Sequence, residues 1–213
     1  MRQSFALFFT ILFIITNINA KTHHVCQHSR TVLLVGDSIS SGYGIPPKTS
    51  WVSLLRLELA KAYPNVKLIN DSIAGSTSYN GLIRLRHQLQ SIKPFAVIIE
   101  LGGNDALRGL NLQASKQNFV SMIKLAKQAG SHVLLISVRL FPNYGPVYTN
   151  AFNALYNNLA QDPDIILIPT LLKGIALNPS LMQKDGIHPN AQAQPRLLKR
   201  VRPSLKALLD KVC

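Results

Sequence analysis

The chain has 213 residues, 47% of them hydrophobic and 15% charged, which is enough apolar chain for one full core and excludes a disordered or disulfide-framework protein. Twenty-three lysines and arginines against nine acidic residues give a net charge of +14. The cations are dispersed, as in Arg84-Leu85-Arg86 and Lys199-Arg200-Val201-Arg202, without a tight cluster or binding motif, so a solvated basic surface is expected and no nucleic-acid partner.

The first segment reads as a leader rather than as fold. Arg2 is followed by a nearly unbroken apolar run over residues 5–15, and Asn17-Ile18-Asn19-Ala20 ends on a small residue. This predicts a secretory signal peptide cleaved after Ala20 and a periplasmic or secreted product, since the run is short for a bilayer span. Cleavage removes one cation, Arg2, and leaves 193 residues, 21–213, as a single domain of net charge +13. Such a balance favours transient contact with an anionic membrane surface. Cys26 and Cys213 then stand near the two ends of the mature chain. A terminal disulfide and two free thiols both remain open.

The pattern that follows alternates short apolar runs with helical periodicity. Residues 31–35 read as a buried strand and residues 51–63 as a helix entered from Thr49 or Ser50. Residues 66–69 form a second strand, and residues 79–92 carry Leu82, Ile83, Leu85 and Leu89 at helical spacing. A third strand over 95–101 follows Pro94, and a helix over 112–129 stops at Gly130. Then come a strand over 132–138, a helix over 148–160, a short strand over 165–168 and a closing helix over 189–209, in which Pro195 and Pro203 are expected to kink or break the turns. Strands apolar along their whole length are covered on both faces. The fold class is therefore α/β, a three-layer α/β/α sandwich on a flavodoxin-like, mainly parallel, five-stranded sheet.

Four separated blocks carry the chemistry: Gly36-Asp37-Ser38-Ile39-Ser40, Ala74-Gly75, Gly102-Gly103-Asn104-Asp105 and Asp185-Gly186-Ile187-His188-Pro189. They supply a hydroxyl (Ser38), a backbone N–H with no side chain in the way (Gly75), an amide donor (Asn104), and a carboxylate and an imidazole (Asp185, His188). Acyl transfer through a serine needs those parts. In a parallel α/β sheet, loops at the carboxyl ends of the strands share one edge, so the blocks can converge. Singly, each block has an ordinary structural reading: Asp37 or Ser38 as a helix cap, Gly75 as a turn glycine, the Gly-Gly-Asn-Asp run as a tight turn, Asp185 as a cap beside a surface His188. Their joint occurrence is what argues against coincidence. Asp105 is read as holding its loop.

Other residues exclude other chemistries. There is no His-Glu-x-x-His, and position 40 is serine, so the Gly-x-Ser-x-Gly elbow is missing. His23, His24 and His28 beside Cys26 are read as fortuitous. No metal and no organic cofactor is expected.

With their flanks, Leu101 to Gly109, Arg139 to Gly145 and Met182 to Asn190, the blocks resemble the SGNH branch of the GDSL hydrolase family, and within it the bacterial periplasmic thioesterases, proteases and lysophospholipases. The likeness runs from about Thr31 to the final helix. It implies Ser38 as nucleophile, Ser38 N–H, Gly75 N–H and Asn104 as the oxyanion hole, and Asp185 and His188 as the rest of the triad. It implies hydrolysis of acyl esters and thioesters, lysophospholipids included, by a monomer. Ile39 stands where leucine is usual, and the two cysteines are outside the family pattern. Leu107, Arg108 and Leu110, with Ile45, Pro142 and Tyr144, are expected to line the acyl chain's path. Two rival readings share the chain: a carbohydrate or small-ester deacetylase on the same groups, and a non-catalytic lipid- or polysaccharide-binding module.

Overall fold

A computed structural model describes Cys26, residues 28–140 and residues 144–213; the leader and its cleavage site lie outside the described residues. Five strands, β1 (Arg30–Gly36), β2 (Val66–Asn70), β3 (Ala96–Glu100), β4 (His132–Ile136) and β5 (Ile165–Ile168), pair in the order β2-β1-β3-β4-β5. Every pairing is parallel, so the sheet expected to be mainly parallel is wholly so.

Alternate side chains of each strand feed two separate cores. Val32, Leu34 and Ile98 pack with α2 (Trp51–Ala62) and α7 (Gln194–Asp210) on one face. Leu33, Val35 and Ile99 pack with α3 (Ser78–Ser91), α5 (Leu112–Gln128) and α6 (Pro146–Leu159) on the other. That is why the inner strands β1, β3 and β4 carry near-continuous apolar runs: both faces are roofed.

The helices start where the sequence offers caps. Ser50 accepts from the Ser53 N–H at 3.2 Å to open α2, and Thr77 and Asn80 form a reciprocal capping box at α3. The closing helix begins at Gln194, later than the expected 189. Residues before it are committed elsewhere: Pro189 bridges Met182 in an antiparallel pair, and Asn190 caps a single 3₁₀ turn over Ala191–Ala193. Pro195 then sits in the first turn, where its missing N–H costs nothing, and Pro203 is carried inside the helix without ending it. Two short helices escaped the periodicity, α1 (Ser38–Ser41) and α4 (Gly103–Leu107), because one turn is too short to display a repeat. Leu107, expected on the acyl chain's path, is the last residue of α4.

Cys26 and Cys213 are joined in a disulfide that spans 187 positions of sequence and packs Cys26 into the α2/α7 core. Among the described residues no helix is long and apolar enough to cross a membrane.

β1 has β2 on one side and β3 on the other, so consecutive crossovers leave it in opposite directions. A crevice opens at that reversal, above the carboxyl ends of β1 and β3. In register, Gly36 of β1 lies opposite Glu100 of β3.

Candidate active site

Ser38 is the first residue of α1, and Asp37, which directly follows β1, caps that helix by accepting from the Ile39 N–H at 3.0 Å. The cap places the Ser38 hydroxyl at the crevice rather than in the sheet. It meets His188, whose Nε2 lies 2.9 Å from Ser38 Oγ across 150 positions of sequence. His188 Nδ1 lies 2.7 Å from Asp185 Oδ2. The other Asp185 oxygen, Oδ1, accepts from the Ile187 N–H at 2.9 Å and the His188 N–H at 3.0 Å. One carboxylate thus grips both the backbone and the ring of the histidine three residues on. These bonds, His188's above all, hold the Asp185 carboxyl down to about 2, so it is ionised at any working pH.

The loop bearing this pair is pinned from outside. Gln183 accepts nothing from the ring but donates its N–H to the His188 carbonyl at 2.8 Å and its side-chain amide to the Tyr43 carbonyl at 2.8 Å. The Tyr43 ring leans against the imidazole with centroids 4.8 Å apart. Buried Gln194 ties the same loop to α2 by accepting from the Trp51 N–H at 3.0 Å.

Gly75 lies in the turn between β2 and α3 with φ +78°, a left-handed conformation that a side chain would strain. Its carbonyl accepts from Arg108 Nη2 at 2.8 Å, and among the described residues its N–H has no acceptor. Arg84 braces the turn from below, donating to the Gly36 carbonyl at 3.0 Å, the Asp71 carbonyl at 3.2 Å and the Ser76 hydroxyl at 2.9 Å. Asp105 is wholly buried and accepts from the Ser78 N–H at 2.8 Å, the Ser78 hydroxyl at 2.5 Å and the Ser115 hydroxyl at 2.7 Å. It welds α4, α3 and α5 together, as the reading of a loop-holding residue anticipated.

Asn104, in the first turn of α4, donates its amide to Asp37 Oδ2 at 3.2 Å and to the Ser76 carbonyl at 3.1 Å. Gly102 makes the approach possible: its φ is +105°, and a Cβ there would strike the Tyr156 hydroxyl. Both amide protons of Asn104 therefore have protein acceptors.

Behind Ser38 two carboxyl groups meet. Glu100 is buried and accepts the Ser40 hydroxyl at 2.7 Å and the Asp37 N–H at 3.4 Å on the same oxygen. Burial, then the charge of Asp37, pushes its carboxyl well above the usual range. Burial also pushes Asp37 up, to about 6, against the pull of the Ile39 N–H and of a hydrogen bond from Glu100.

A cavity of about 350 Å³ opens beside these groups. Ser38, Gly75, Asn104 and His188 share it with Leu107, Tyr144, Val138, Leu140, Leu171 and Leu172. Of the expected acyl-path residues, Leu107 and Tyr144 line it; Ile45, Arg108 and Leu110 do not, and Pro142 lies outside the described residues. Arg108 is turned instead to the Gly75 carbonyl. The sequence reading missed Tyr43, Leu140, Leu171 and Ile187. Ile187 had a signal, since it sits inside the Asp-Gly-Ile-His block; Leu171 and Leu172 had a weaker one, since they follow β5 at the carboxyl edge of the sheet. Among the described residues no group of three or more His, Cys, Asp or Glu is arranged to hold a metal ion.

The GDSL-like Lipase/Acylhydrolase family matches residues 34–195, which spans all four blocks. The chain belongs to that family. It is 45% identical over 181 residues to Esterase TesA of Pseudomonas aeruginosa, covering 85% of this chain and 90% of the relative. It is 39% identical over 180 residues to Thioesterase 1/protease 1/lysophospholipase L1 of Escherichia coli, covering 84% of this chain and 85% of the relative. Among solved structures it is similar to the psychrotrophic esterase EstA from Pseudoalteromonas sp., inhibited by monoethylphosphonate, with TM-score 0.80 at 35% identity over 85% of this chain and 99% of that one. As a GDSL/SGNH hydrolase the chain is an enzyme that cleaves acyl bonds, and its five-stranded parallel sheet is the SGNH fold.

Proposed function

We propose that Ser38 attacks fatty-acyl esters and thioesters, lysophospholipids among them, and that hydrolysis proceeds through an acyl-enzyme. The observation that carries the reading is the continuous relay from Ser38 Oγ through His188 to Asp185, 2.9 and 2.7 Å per step, at the mouth of an apolar cavity. His188 Nε2 takes the Ser38 proton as the Oγ–carbon bond forms. Asp185, still ionised, accepts a hydrogen bond from the Nδ1–H and stabilises the imidazolium. The Ser38 N–H, the Gly75 N–H and the Asn104 amide donate to the developing oxyanion. His188 then returns its proton to the departing alkoxide or thiolate. A water, deprotonated by the same nitrogen, releases the carboxylic acid.

The cavity falls in the size range of small-molecule sites, and its leucines and Val138 suit an alkyl chain better than a sugar. The chain acts as a monomer, exported after cleavage at Ala20. The exposed cations Arg196, Lys199, Arg202 and Lys206 of α7 fit transient contact with anionic lipid. The deciding experiment profiles the mature protein on acyl-CoA, lysophospholipid and p-nitrophenyl esters of rising length, with a fluorophosphonate probe to tag the serine. Expected are labelling lost in Ser38→Ala and rates that rise beyond acetyl. A preference for acetyl esters would point to a deacetylase, and absence of labelling to a binding module.

A further inference from the structure

Asp185 and His188 are bonded to each other so fully that nothing in their own motif fixes where they stand. The Ile187 N–H, the His188 N–H and the imidazole Nδ1 all meet the one Asp185 carboxylate. Such a unit forms wherever its loop is. The reach of Nε2 to Ser38 has to be set by a group that extends to the serine's own segment. Met182 and Pro189 close the base of the loop in an antiparallel bridge, and Gln194 ties that base to α2. Gln183 extends further. Its Nε2 donates to the Tyr43 carbonyl at 2.8 Å and to the Pro189 carbonyl at 3.2 Å, and its backbone N–H donates to the His188 carbonyl at 2.8 Å. The Tyr43 N–H in turn donates to the Ser38 carbonyl at 3.2 Å. A second bridge between Ser38 and His188 therefore runs through Tyr43 and Gln183, beside the 2.9 Å contact of Nε2 with Oγ. Apart from that contact, no other side-chain hydrogen bond among the described residues joins residues 181–190 to residues 38–45. Gly44 makes room for the clip: its φ is +72°, and a Cβ there would strike Gln183 Oε1.

We infer that Gln183 is a positioning residue whose side-chain amide clips the self-bonded Asp185–His188 unit to the Ser38 segment and so sets the distance over which Nε2 takes the serine proton. Proton transfer needs the heavy atoms within about 3 Å, and a displacement of about 1 Å costs on the order of 10²-fold in rate. The amide suits the task because its nitrogen carries two protons, and the two acceptors lie on opposite sides of the joint. Tyr43 belongs to the nucleophile's side, and Pro189 adjoins the base. The bond to the Tyr43 carbonyl also holds the residue whose ring leans on the imidazole, 4.8 Å between centroids. Gln183 does not line the cavity that holds Ser38 and His188, so its effect passes through His188 and not through the substrate.

The inference rests on the hydrolase reading, which wild-type turnover with Ser38→Ala as blank checks in the same assay, so the two can fail separately. Gln183→Met keeps the length of the side chain and removes both donors. Gln183→Glu keeps the shape, and its carboxylate cannot donate to the two carbonyls at neutral pH. Expected in both is a fall in kcat on the order of 10- to 10²-fold at nearly unchanged KM, with fluorophosphonate labelling slowed by the same factor. Nitrogen NMR of the imidazole supplies a readout that a loosened loop would move. His188 should keep its Nδ1–H tautomer in Gln183→Met, because the bonds to Asp185 do not involve Gln183. Full kcat in either folded variant overturns the inference, and so does a change confined to KM. Loss of the tautomer together with kcat also overturns it, since Gln183 would then support the Asp185–His188 unit itself. Should the Gln183 variants fail to fold, Gly44→Ala decides, because its Cβ displaces the amide from the opposite side. Slower labelling with the tautomer retained supports the clip, and labelling at the wild-type rate overturns it.

Discussion

Asp37 and Asp185 lie on opposite sides of one serine and are held in opposite ways. Asp37 is at the end of a central strand, buried, with a second carboxyl behind it, and its proton affinity is raised to about 6. Asp185 is in a loop, with 38% of its side chain exposed, gripped by two backbone N–H groups and a ring, and its affinity is lowered to about 2. The first region places Ser38 and Asn104 by sheet register and buried bonds. The second places His188 by a four-residue motif that makes its own hydrogen bonds. A site built this way has a stiff half set by the fold and a locally encoded half that needs only to be docked.

The contrast breaks most completely at the point of contact. Ser38→Ala should lower hydrolysis on the order of 10⁴-fold or more without loss of fold, since it deletes one oxygen at a helix start. Steady-state kinetics with a thermal melt checks this; near-wild-type turnover by the folded variant would refute the nucleophile.

On the loop side, His188→Ala should cost about as much, and Asp185→Asn somewhat less, on the order of 10³-fold, because orientation and charge stabilisation are lost while the base remains. A melt unchanged near neutral pH, with kcat reduced, would show that the loop is docked independently of this carboxylate. On the sheet side, Asn104→Ala should lower kcat on the order of 10²-fold with little change in KM. A rise in KM alone would make Asn104 a ground-state binding group.

The cavity wall gives a smaller, graded effect. Leu107 lines it and Leu110 does not, so Leu107→Ser should flatten the gain of roughly fourfold per methylene expected from alkyl burial, about 0.8 kcal/mol each, while Leu110→Ser leaves the chain-length profile alone. Equal changes in both would move the acyl path elsewhere.

The last test separates the two aspartates by pH. Asp37 binds its proton more tightly folded than unfolded, so it favours the fold below 3.8 and loses that contribution as pH rises through about 6. Asp185 does the reverse: its contribution is present above 3.8 and lost as pH falls toward about 2. Chemical denaturation across pH should show Asp37→Asn removing a downward slope of up to about 1.4 kcal/mol per pH unit between these limits, and Asp185→Asn lowering stability above 3.8 while removing a pH slope only on the acid side, between 3.8 and about 2. The same slope change in both variants would mean that they do not differ in burial as described.

Most of the strands were readable as apolar runs, because a strand roofed on both faces has no polar alternation to confuse it. The helix boundaries drifted where proline and side-chain caps compete, as at Pro189, which a bridge to Met182 claims before α7 can begin. Helices of one turn, α1 and α4, left no periodic trace although each carries a site residue.

The sequence by itself determined the chemistry on offer: a serine after Gly-Asp at a strand end, an Asp-x-x-His whose partners are three positions apart, and a glycine and an asparagine in turns. These are local facts, because strand, cap and Asx-type bonding reach only a few residues. Only the tertiary structure decided which of them meet. It took a parallel register pairing Gly36 with Glu100 and a crossover reversing at β1. It also decided that Arg108 turns to the Gly75 carbonyl, that Leu171 and Leu172 enter the cavity wall, and that Glu100 sits under Asp37. Those contacts depend on packing between segments distant in sequence, and no spacing along the chain encodes them.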